Sequence, residues 1–327
     1  MTAVPGTIGG TAGSDRALRW MRRNGAALLI YAIVVVFVVV ASILSPTFRD
    51  VSNLMDVLRQ STVLGLVTIG QLFVMLAGGI DMSVGMIARV VGLGIAVAMT
   101  TLGVPPLAAI PLALLAGTLI GLANGVVVAR FSAQPFIATL GMMGILYGVA
   151  LAISNGPTKM VPIVMLSIYD TSFGPVPAAV IAMAVIWALA WWILRATRFG
   201  RGIYAVGGSP KVARLAGLGG ERIIMATYAI SGLVSAAGGI FLIARSGVGN
   251  PNMAIGLEFQ SIVAAAIGGI SLYGGRGSVV GALGAVILIS VISNLFDLFQ
   301  ISAYYQDLTL GLIVVLAVAI HRKDGAR

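Results

Sequence analysis

The chain has 327 residues, of which 59% are apolar and only 9% are charged. Soluble domains carry about 25% charged residues, so this composition excludes a soluble globular protein. Uncharged runs are long enough to cross roughly 30 Å of hydrocarbon as helices. The absence of cysteine and the single histidine, His321, argue against disulfides and against a zinc or histidine metal centre. The sequence therefore predicts an all-α, polytopic membrane protein without a metal site.

Apolar runs between polar breaks predict about ten transmembrane helices. In chain order the spans are 25–45, 57–77, 83–102, 106–129, 135–154, 176–194, 223–244, 257–273, 278–297 and 304–320. The chain is thus divided into a basic tail (1–24), a transmembrane domain (25–320) and a short tail (321–327). A signal peptide is the alternative for the first span. Its run of about twenty apolar residues is too long for one and no small-residue cleavage site ends it, so we interpret it as a membrane anchor.

The basic residues orient these spans. Arg16, Arg19, Arg22 and Arg23 precede the first span, and basic segments stay in the cytoplasm. An even number of spans then places both termini in the cytoplasm, and the cytoplasmic segments hold 15 of the 20 lysines and arginines. The net charge of +10 is therefore a topology signal, and it does not favour nucleic-acid binding.

Polar side chains inside the predicted spans are candidates for a solute path, because an unpartnered polar group is costly in lipid. Amides suit a polyhydroxylated solute, which needs donors and acceptors rather than a counter-charge. The alternative interpretation is hydrogen bonding between helices. With one aromatic residue added, the candidates are Gln71, Asp81, Asn124, Phe136 and Asn294.

Arg89 also falls within a predicted span. Together with Asp81 it does not amount to the carboxylate relay of a proton pump. We expect its guanidinium to extend to the inner interface. If it faced the path instead, it would favour an acidic solute.

Glycine-containing breaks follow two of the spans. At an offset of 190 residues, the triplet 78–80 (Gly-Gly-Ile) aligns with the triplet 268–270 of the same sequence, which indicates a duplicated unit. Broken helices are where transporters expose backbone toward a solute. Close helix packing is the other interpretation, because small residues let membrane helices approach each other.

The predicted cytoplasmic loop 195–222 contains a helix of two turns. Ser209 is its predicted N-cap, Pro210 suits its first position, and Gly217 or Gly219 permits a left-handed end. A helix this short is not stable alone, so it must dock on a cytoplasmic partner or on the anionic inner leaflet. One face carries Val212, Leu215 and Ala216, and the other side carries Lys211 and Arg214.

No phosphate-binding loop of the form G-x-x-x-x-G-K-[ST] occurs in the chain. Buried carboxylates and histidines of the kind that ion-driven pumps use are missing as well. If the chain moves a solute uphill, we expect another subunit to supply the energy.

Four glycine-containing motifs occur in the chain: Ala-Gly-Gly-Ile-Asp-Met-Ser-Val-Gly (77–85), Gln-Pro-Phe-Ile-Ala-Thr-Leu-Gly (134–141), Gly-Arg-Gly-Ile-Tyr-Ala-Val-Gly-Gly-Ser-Pro-Lys-Val-Ala-Arg-Leu-Ala-Gly-Leu (200–218) and Ala-Ala-Ile-Gly-Gly-Ile-Ser-Leu-Tyr-Gly-Gly-Arg-Gly-Ser (265–278). In this order they resemble the permease subunit of bacterial ribose-type ABC importers. The resemblance runs from about residue 28 to residue 320. Arg89 departs from it, because a small or aliphatic residue is expected there.

The resemblance implies a multi-pass protein of the bacterial inner membrane that is not an enzyme and binds no cofactor itself. Its implied partners are a second permease subunit, identical or related, an extracytoplasmic sugar-binding protein, and a cytoplasmic ATPase that uses ATP and Mg²⁺. The implied ATPase contact is Ser209, Pro210, Lys211, Val212, Arg214, Leu215, Ala216, Gly217 and Leu218. The charges predicted on the outer face, which could contact the binding protein, are Lys159, Asp170, Arg245, Glu258 and Asp307.

Three alternatives remain open from the sequence. A permease of the same architecture could carry a nucleoside or another small metabolite. A self-sufficient secondary carrier would use an ion gradient. An integral membrane enzyme would need carboxylates that converge, because the chain has almost no histidine and no cysteine.

Overall fold

The computed structural model of the chain describes residues 12–302, 304–306, 308–309 and 311–312. Within these residues, twelve α-helices have defined ends: α1 Ala12–Leu44, α2 Val51–Leu76, α3 Val84–Thr100, α4 Pro106–Arg130, α5 Pro135–Ile153, α6 Ile163–Asp170, α7 Ala178–Ala196, α8 Arg198–Gly208, α9 Pro210–Leu215, α10 Gly220–Ser246, α11 Leu257–Ile267 and α12 Val279–Leu298. A 3-10 turn, Thr47–Arg49, links α1 to α2. Strand β1, Ser172–Phe173, pairs antiparallel with β2, Val176–Pro177.

Seven described helices are long and apolar enough to cross a membrane: α1, α2, α4, α5, α7, α10 and α12. The chain is therefore a helical, multi-pass membrane protein. Helices α3 and α11 coincide with predicted spans but have only 17 and 11 residues. The tenth predicted span, 304–320, and the tail 321–327 fall largely outside the described residues.

The structure contains more helix in two segments than the sequence predicted. Helix α1 begins at Ala12, so helical structure enters the predicted tail 1–24. The loop 195–222 contains α8 as well as the predicted α9. Helix α8 was not predicted because it contains glycines at 200, 202, 207 and 208, and glycine disfavours helix formation. Tertiary packing on α2, α7 and α10 compensates.

Helix α2 is the centre of the fold. Every residue from Ser61 to Leu76 is buried, and the helix packs on α7, α10, α11 and α12. Its outer-facing positions are thus covered by protein rather than lipid, which explains why polar residues are tolerated along its length.

Helices α4 and α10 make the most extensive helix contact in the described part of the chain. Gly117, Gly121 and Gly125 are spaced four residues apart on α4 and lie on one face. A β-carbon built on Gly125 would lie 2.8 Å from Met225 Cα, and one on Gly121 would overlap the Tyr228 carbonyl oxygen. These glycines let the two backbones touch, as small residues do in membrane helix pairs.

Helix α10 crosses the whole fold, so the position of a residue along it measures depth from one end of the bundle to the other. It starts at Gly220, next to α9, and we call this side the α9 end. Ser231 is eleven residues further, about 16 Å along the helix. Ser231 Oγ donates to Asp81 Oδ2 at 3.0 Å, so the start of α3 lies at this middle level.

Helix α11 starts close to the same level. A β-carbon on Gly85 would lie 3.0 Å from the Glu258 backbone nitrogen. From there α3 runs away from the α9 end, and α11 runs toward it, since the segment after α11 bonds to the end of α2 through Gly275 N and Leu76 O at 2.9 Å. Both helices therefore begin inside the bundle, and neither crosses it alone.

Candidate functional site

A buried polar cluster surrounds the start of α3. Asp81 Oδ1 accepts hydrogen bonds from Ser83 N at 2.9 Å and Ser83 Oγ at 2.6 Å. Ser231 of α10 donates to the other carboxylate oxygen. Asn124 of α4 donates to Ser83 Oγ at 2.8 Å. All four side chains are buried, so two of the predicted path residues, Asp81 and Asn124, are joined through serines that the sequence did not single out.

Gln71 lies on α2 near this cluster. The residue before it, Gly70, approaches Ser231 so closely that a β-carbon would lie 3.0 Å from the Ser231 Cα. Gln71 is fully buried, and neither its Oε1 nor its Nε2 meets a partner among the residues that the structure describes. A buried amide with both ends unpaired is costly, and it is expected where a polar molecule or another arrangement of the chain satisfies it.

Thr139 connects the cluster to α5. Its hydroxyl accepts from Met82 N at 3.0 Å and donates within its own helix turn. Phe136, one turn earlier on α5, is 42% exposed on the surface of the subunit. The structure therefore separates Phe136 from the buried cluster, although Phe136 and Thr139 both lie near the start of α5.

Asn294 lies elsewhere. Its side chain exchanges hydrogen bonds with Asn53 at 3.0 and 3.1 Å, between α12 and the first turn of α2. This pair is at the end of the bundle opposite α9. Of the five predicted path residues, only Gln71, Asp81 and Asn124 lie near one another.

The prediction that Arg89 extends to the inner interface is wrong. Arg89 is buried, and its Nε donates to the Met253 carbonyl oxygen at 2.6 Å, in the segment that precedes α11. Glu258 is also buried rather than exposed on an outer loop, because α11 begins inside the bundle. The carboxylate of Glu258 lies against Gly85, and its Oε2 has no hydrogen bond to a described residue.

The two glycine breaks have the same local structure. Gly78 N bonds to Met75 O and Gly79 N to Val74 O, and Gly78 has a φ of +89°. At the end of α11 the same pattern joins Gly269 N to Ala266 O and Ile270 N to Ala265 O, with a φ of +90° at Gly269. This is the Schellman ending of a helix. It aligns the two breaks at an offset of 191 residues, one more than the sequence alignment gives.

Helix α9 is the predicted two-turn helix. Ser209 Oγ accepts from Val212 N at 3.3 Å, Pro210 is the first helical residue, and Gly217 has a φ of +73°. Its buried face is Ala213 alone. The predicted apolar face is free in the described chain, since Val212 is 62% and Leu215 is 80% exposed.

A groove of about 760 Å³ lies beside α9, between α4 and the start of α10. Arg130, Arg214 and Arg222 line it, with Glu221 as its acidic residue. The groove therefore carries an excess of positive charge next to exposed apolar side chains.

Helix α8 joins α9 to the middle of the fold. Gly207 packs so closely on the Leu76 carbonyl oxygen, at the end of α2, that a β-carbon would overlap it. Gly275 donates to that same oxygen at 2.9 Å. Tyr204 Oη donates to the Gly277 carbonyl at 3.4 Å, and burial raises the pKa of Tyr204. Helix α8 thus contacts both the end of α2 and the segment that follows α11.

Residues 53–318 match the family model described as branched-chain amino acid transport system / permease component. The chain belongs to this permease family. The match starts inside α2 and leaves out α1.

Curated relatives extend over nearly the whole chain. It is 34% identical to the ribose import permease protein RbsC of Haemophilus influenzae over 87% of this chain and 89% of that protein. It is 31% identical to the galactose/methyl galactoside import permease protein MglC of Salmonella typhimurium over 95% of this chain and 97% of that protein. It is 36% identical to the probable ABC transporter permease protein YphD of Escherichia coli over 90% of this chain and 88% of that protein. No solved structure matches.

Family membership confirms the resemblance drawn from the four motifs. The parts of the permease that carry these motifs are the break before α3, the start of α5, the α8–α9 segment and the break after α11. The structure brings the first two together through Thr139 and Met82, and the last two through Gly207 and Gly275.

Proposed function

We propose that the chain is the membrane-spanning permease subunit of an ABC importer for a monosaccharide in a bacterial inner membrane. The observation that carries this proposal is identity above 30% to ribose and galactose import permeases over most of both chains. A second permease subunit, identical or related, completes the path. A cytoplasmic ATPase that uses ATP and Mg²⁺ supplies the energy, and an extracytoplasmic binding protein delivers the sugar. The chain itself catalyses no reaction and binds no cofactor.

The described interior suits a neutral solute. The cluster near α3 presents serine, threonine and asparagine side chains around Asp81, whose carboxylate already accepts three hydrogen bonds. Gln71 adds an amide whose donors and acceptors have no partner among the described residues. Hydroxyl-rich solutes match such groups. The family description names branched-chain amino acids instead; a zwitterion would require paired charges, and the cluster itself holds one charged residue, Asp81.

Helix α9 is the proposed contact for the ATPase, and the α9 end is the cytoplasmic side. Exposed Val212 and Leu215 provide an apolar anchor, and the groove lined by Arg130, Arg214 and Arg222 accepts acidic side chains. The described basic residues concentrate at this end, which agrees with cytoplasmic termini. Closure of the ATPase pushes α9, tilts α7 and α10, and reaches the two breaks through Gly207.

Uptake by reconstituted vesicles tests this function. The chain is placed in proteoliposomes with a candidate ATPase and a candidate binding protein from the same genome, and uptake of radiolabelled D-ribose, D-galactose, L-leucine and uridine is measured. We expect ATP-dependent accumulation of a sugar and none by the chain alone. Accumulation by the chain alone under an ion gradient would identify a secondary carrier. ATP-dependent uptake of L-leucine or uridine without sugar uptake would contradict the monosaccharide assignment.

A further inference from the structure

A second polar site lies at the end of the bundle opposite α9. It is a cavity of about 210 Å³ between α2, α10, α11 and α12. Leu242 on its wall is 22 residues from the start of α10, about 33 Å from the α9 end. The cavity is therefore distinct from the cluster at Asp81, which lies about 16 Å along the same helix.

Three glutamines from separate segments converge on this cavity. Gln60 comes from α2, Gln260 from α11, and Gln306 from beyond α12. Gln306 Nε2 donates to Ser293 Oγ. The side chains of Gln60 and Gln260 make no hydrogen bond with any other residue that the structure describes, so two amides remain with all their donors and acceptors available.

Apart from Arg245, the rest of the lining is apolar, with the hydroxyls of Ser290 and Ser293 on the α12 side. The apolar walls include Val63, Leu64, Leu257 and Ile289. Ser290 Oγ is already bonded within α12, to the Val286 carbonyl. Apolar walls with a few convergent polar groups are the usual composition of a small-molecule site.

Charge and size restrict the ligand. Arg245 is the charged residue of the lining, and no carboxylate belongs to the described lining to pair with an ammonium group. An amino acid would therefore leave its ammonium without a counter-ion. The volume corresponds to about seven water molecules, which suits one small solute.

We propose that this cavity binds one polyhydroxylated solute of monosaccharide size, with the amides of Gln60 and Gln260 as hydrogen-bonding partners. This rests on the proposed function, in which the solute is a sugar and the end opposite α9 is extracytoplasmic. The cavity then receives the sugar from the outer side before the sugar moves deeper between the subunits. Weak binding suits this role, because the sugar must leave the cavity again.

Saturation-transfer NMR on the purified full chain in detergent tests the site, with D-ribose and D-galactose as probes. The Gln60→Leu/Gln260→Leu variant removes both amides. Gln300→Leu is the control, because Gln300 is exposed at the same end of the molecule. For whichever sugar binds the wild type, we expect the Kd to rise about tenfold in the double variant, because two hydrogen bonds are lost, and to stay unchanged in the control.

Equal sugar binding in the wild type and the double variant overturns the proposal. Binding of L-leucine that competes with the sugar and is lost in the double variant also overturns the assigned ligand class. If the double variant does not elute as a single species, the same titration is run on Gln260→Leu, for which about fivefold weakening is expected. The vesicle uptake assay separates the two proposals: sugar uptake with unaltered binding in the variant rejects the cavity alone, whereas absence of sugar uptake by the wild type rejects the function.

Discussion

Asp81 closes a hydrogen-bond network that connects three elements of the bundle. It holds the start of α3 through Ser83, reaches α10 through Ser231, and is linked to α4 through Asn124. A carboxylate at a helix start also interacts favourably with the partial positive charge of that end. The network therefore fixes α3 at a depth where lipid could not satisfy its backbone.

Removing the Asp81 carboxylate tests this role. In Asp81→Ala, Ser83 N, Ser83 Oγ and Ser231 Oγ lose their acceptor inside the protein. We expect a loss of about 3 kcal/mol and a Tm lower by about 5 °C or more, measured by thermal unfolding of the purified chain in detergent. Asp297→Ala is the control, because Asp297 is exposed and its carboxylate makes no hydrogen bond to a described residue. An equal Tm for both variants would contradict a structural role for the network.

At the scale of single residues, the sequence predicted some of the buried polar side chains but not their partners. The rule that buried polar groups need partners identified Asp81 and Asn124, but their partners are serines, which are common in membrane helices. The same rule selected Asn294, whose partner is Asn53 rather than the cluster. Arg89 shows the limit most clearly, because its direction depends on a carbonyl 164 residues away in the sequence.

The elements of the fold depend on close backbone contacts and interrupted helices. Span lengths predicted that α3 and α11 exist, but length alone does not show that both begin inside the bundle. Helix α8 was missed because its glycines oppose helix formation and only its neighbours stabilise it. By contrast, both ends of α9 were predicted, because its cap residues act locally.

Gly121→Val tests the contact of α4 with α10. The valine side chain would overlap the Tyr228 carbonyl, so the two helices must separate. We expect a cost of about 3 kcal/mol and a reduced yield of monodisperse protein. Gly144→Val is the matched control: Gly144 is on α5, where a β-carbon meets no atom within 4 Å. Equal yields and Tm values for the two variants would show that the contact does not determine stability.

Leu215→Asp tests the proposed docking of α9. The side chain is 80% exposed, so the fold should tolerate the charge, whereas an apolar socket on the ATPase should not. We expect loss of ATPase co-purification, with the Tm of the chain unchanged. Leu102→Asp, at an exposed loop position between α3 and α4, should retain the ATPase. Normal co-purification of Leu215→Asp would remove α9 from the interface.

At the scale of the whole molecule, the charge distribution of the described residues supports the proposed orientation, with the α9 end in the cytoplasm. Basic residues concentrate near α9, and the polar cavity lies at the far end of α10. The composition alone predicted a helical membrane protein, and the motifs predicted its family. The depth at which the two helix breaks lie could not be predicted from the sequence, because it results from contacts among α2, α3, α10 and α11.

The lack of native cysteine makes this orientation directly testable. Single cysteines are introduced by Ala216→Cys, beside α9, and by Leu102→Cys, in the loop after α3. We expect a membrane-impermeant maleimide to label Leu102→Cys in intact cells, and to label Ala216→Cys only after permeabilisation. The reverse pattern would invert the orientation, and with it the assignment of the ATPase side.

The two matching helix endings lead into connections of unequal length. Seven residues separate α2 from α3, and eleven separate α11 from α12, although both connections leave their helix in the same way. The longer connection includes Gly274 and Gly275, which rest on Gly207 and on the end of the central helix. The four additional residues of the longer connection therefore let the chain after α11 fold back onto α8 and the end of α2, although both connections begin with the same helix ending.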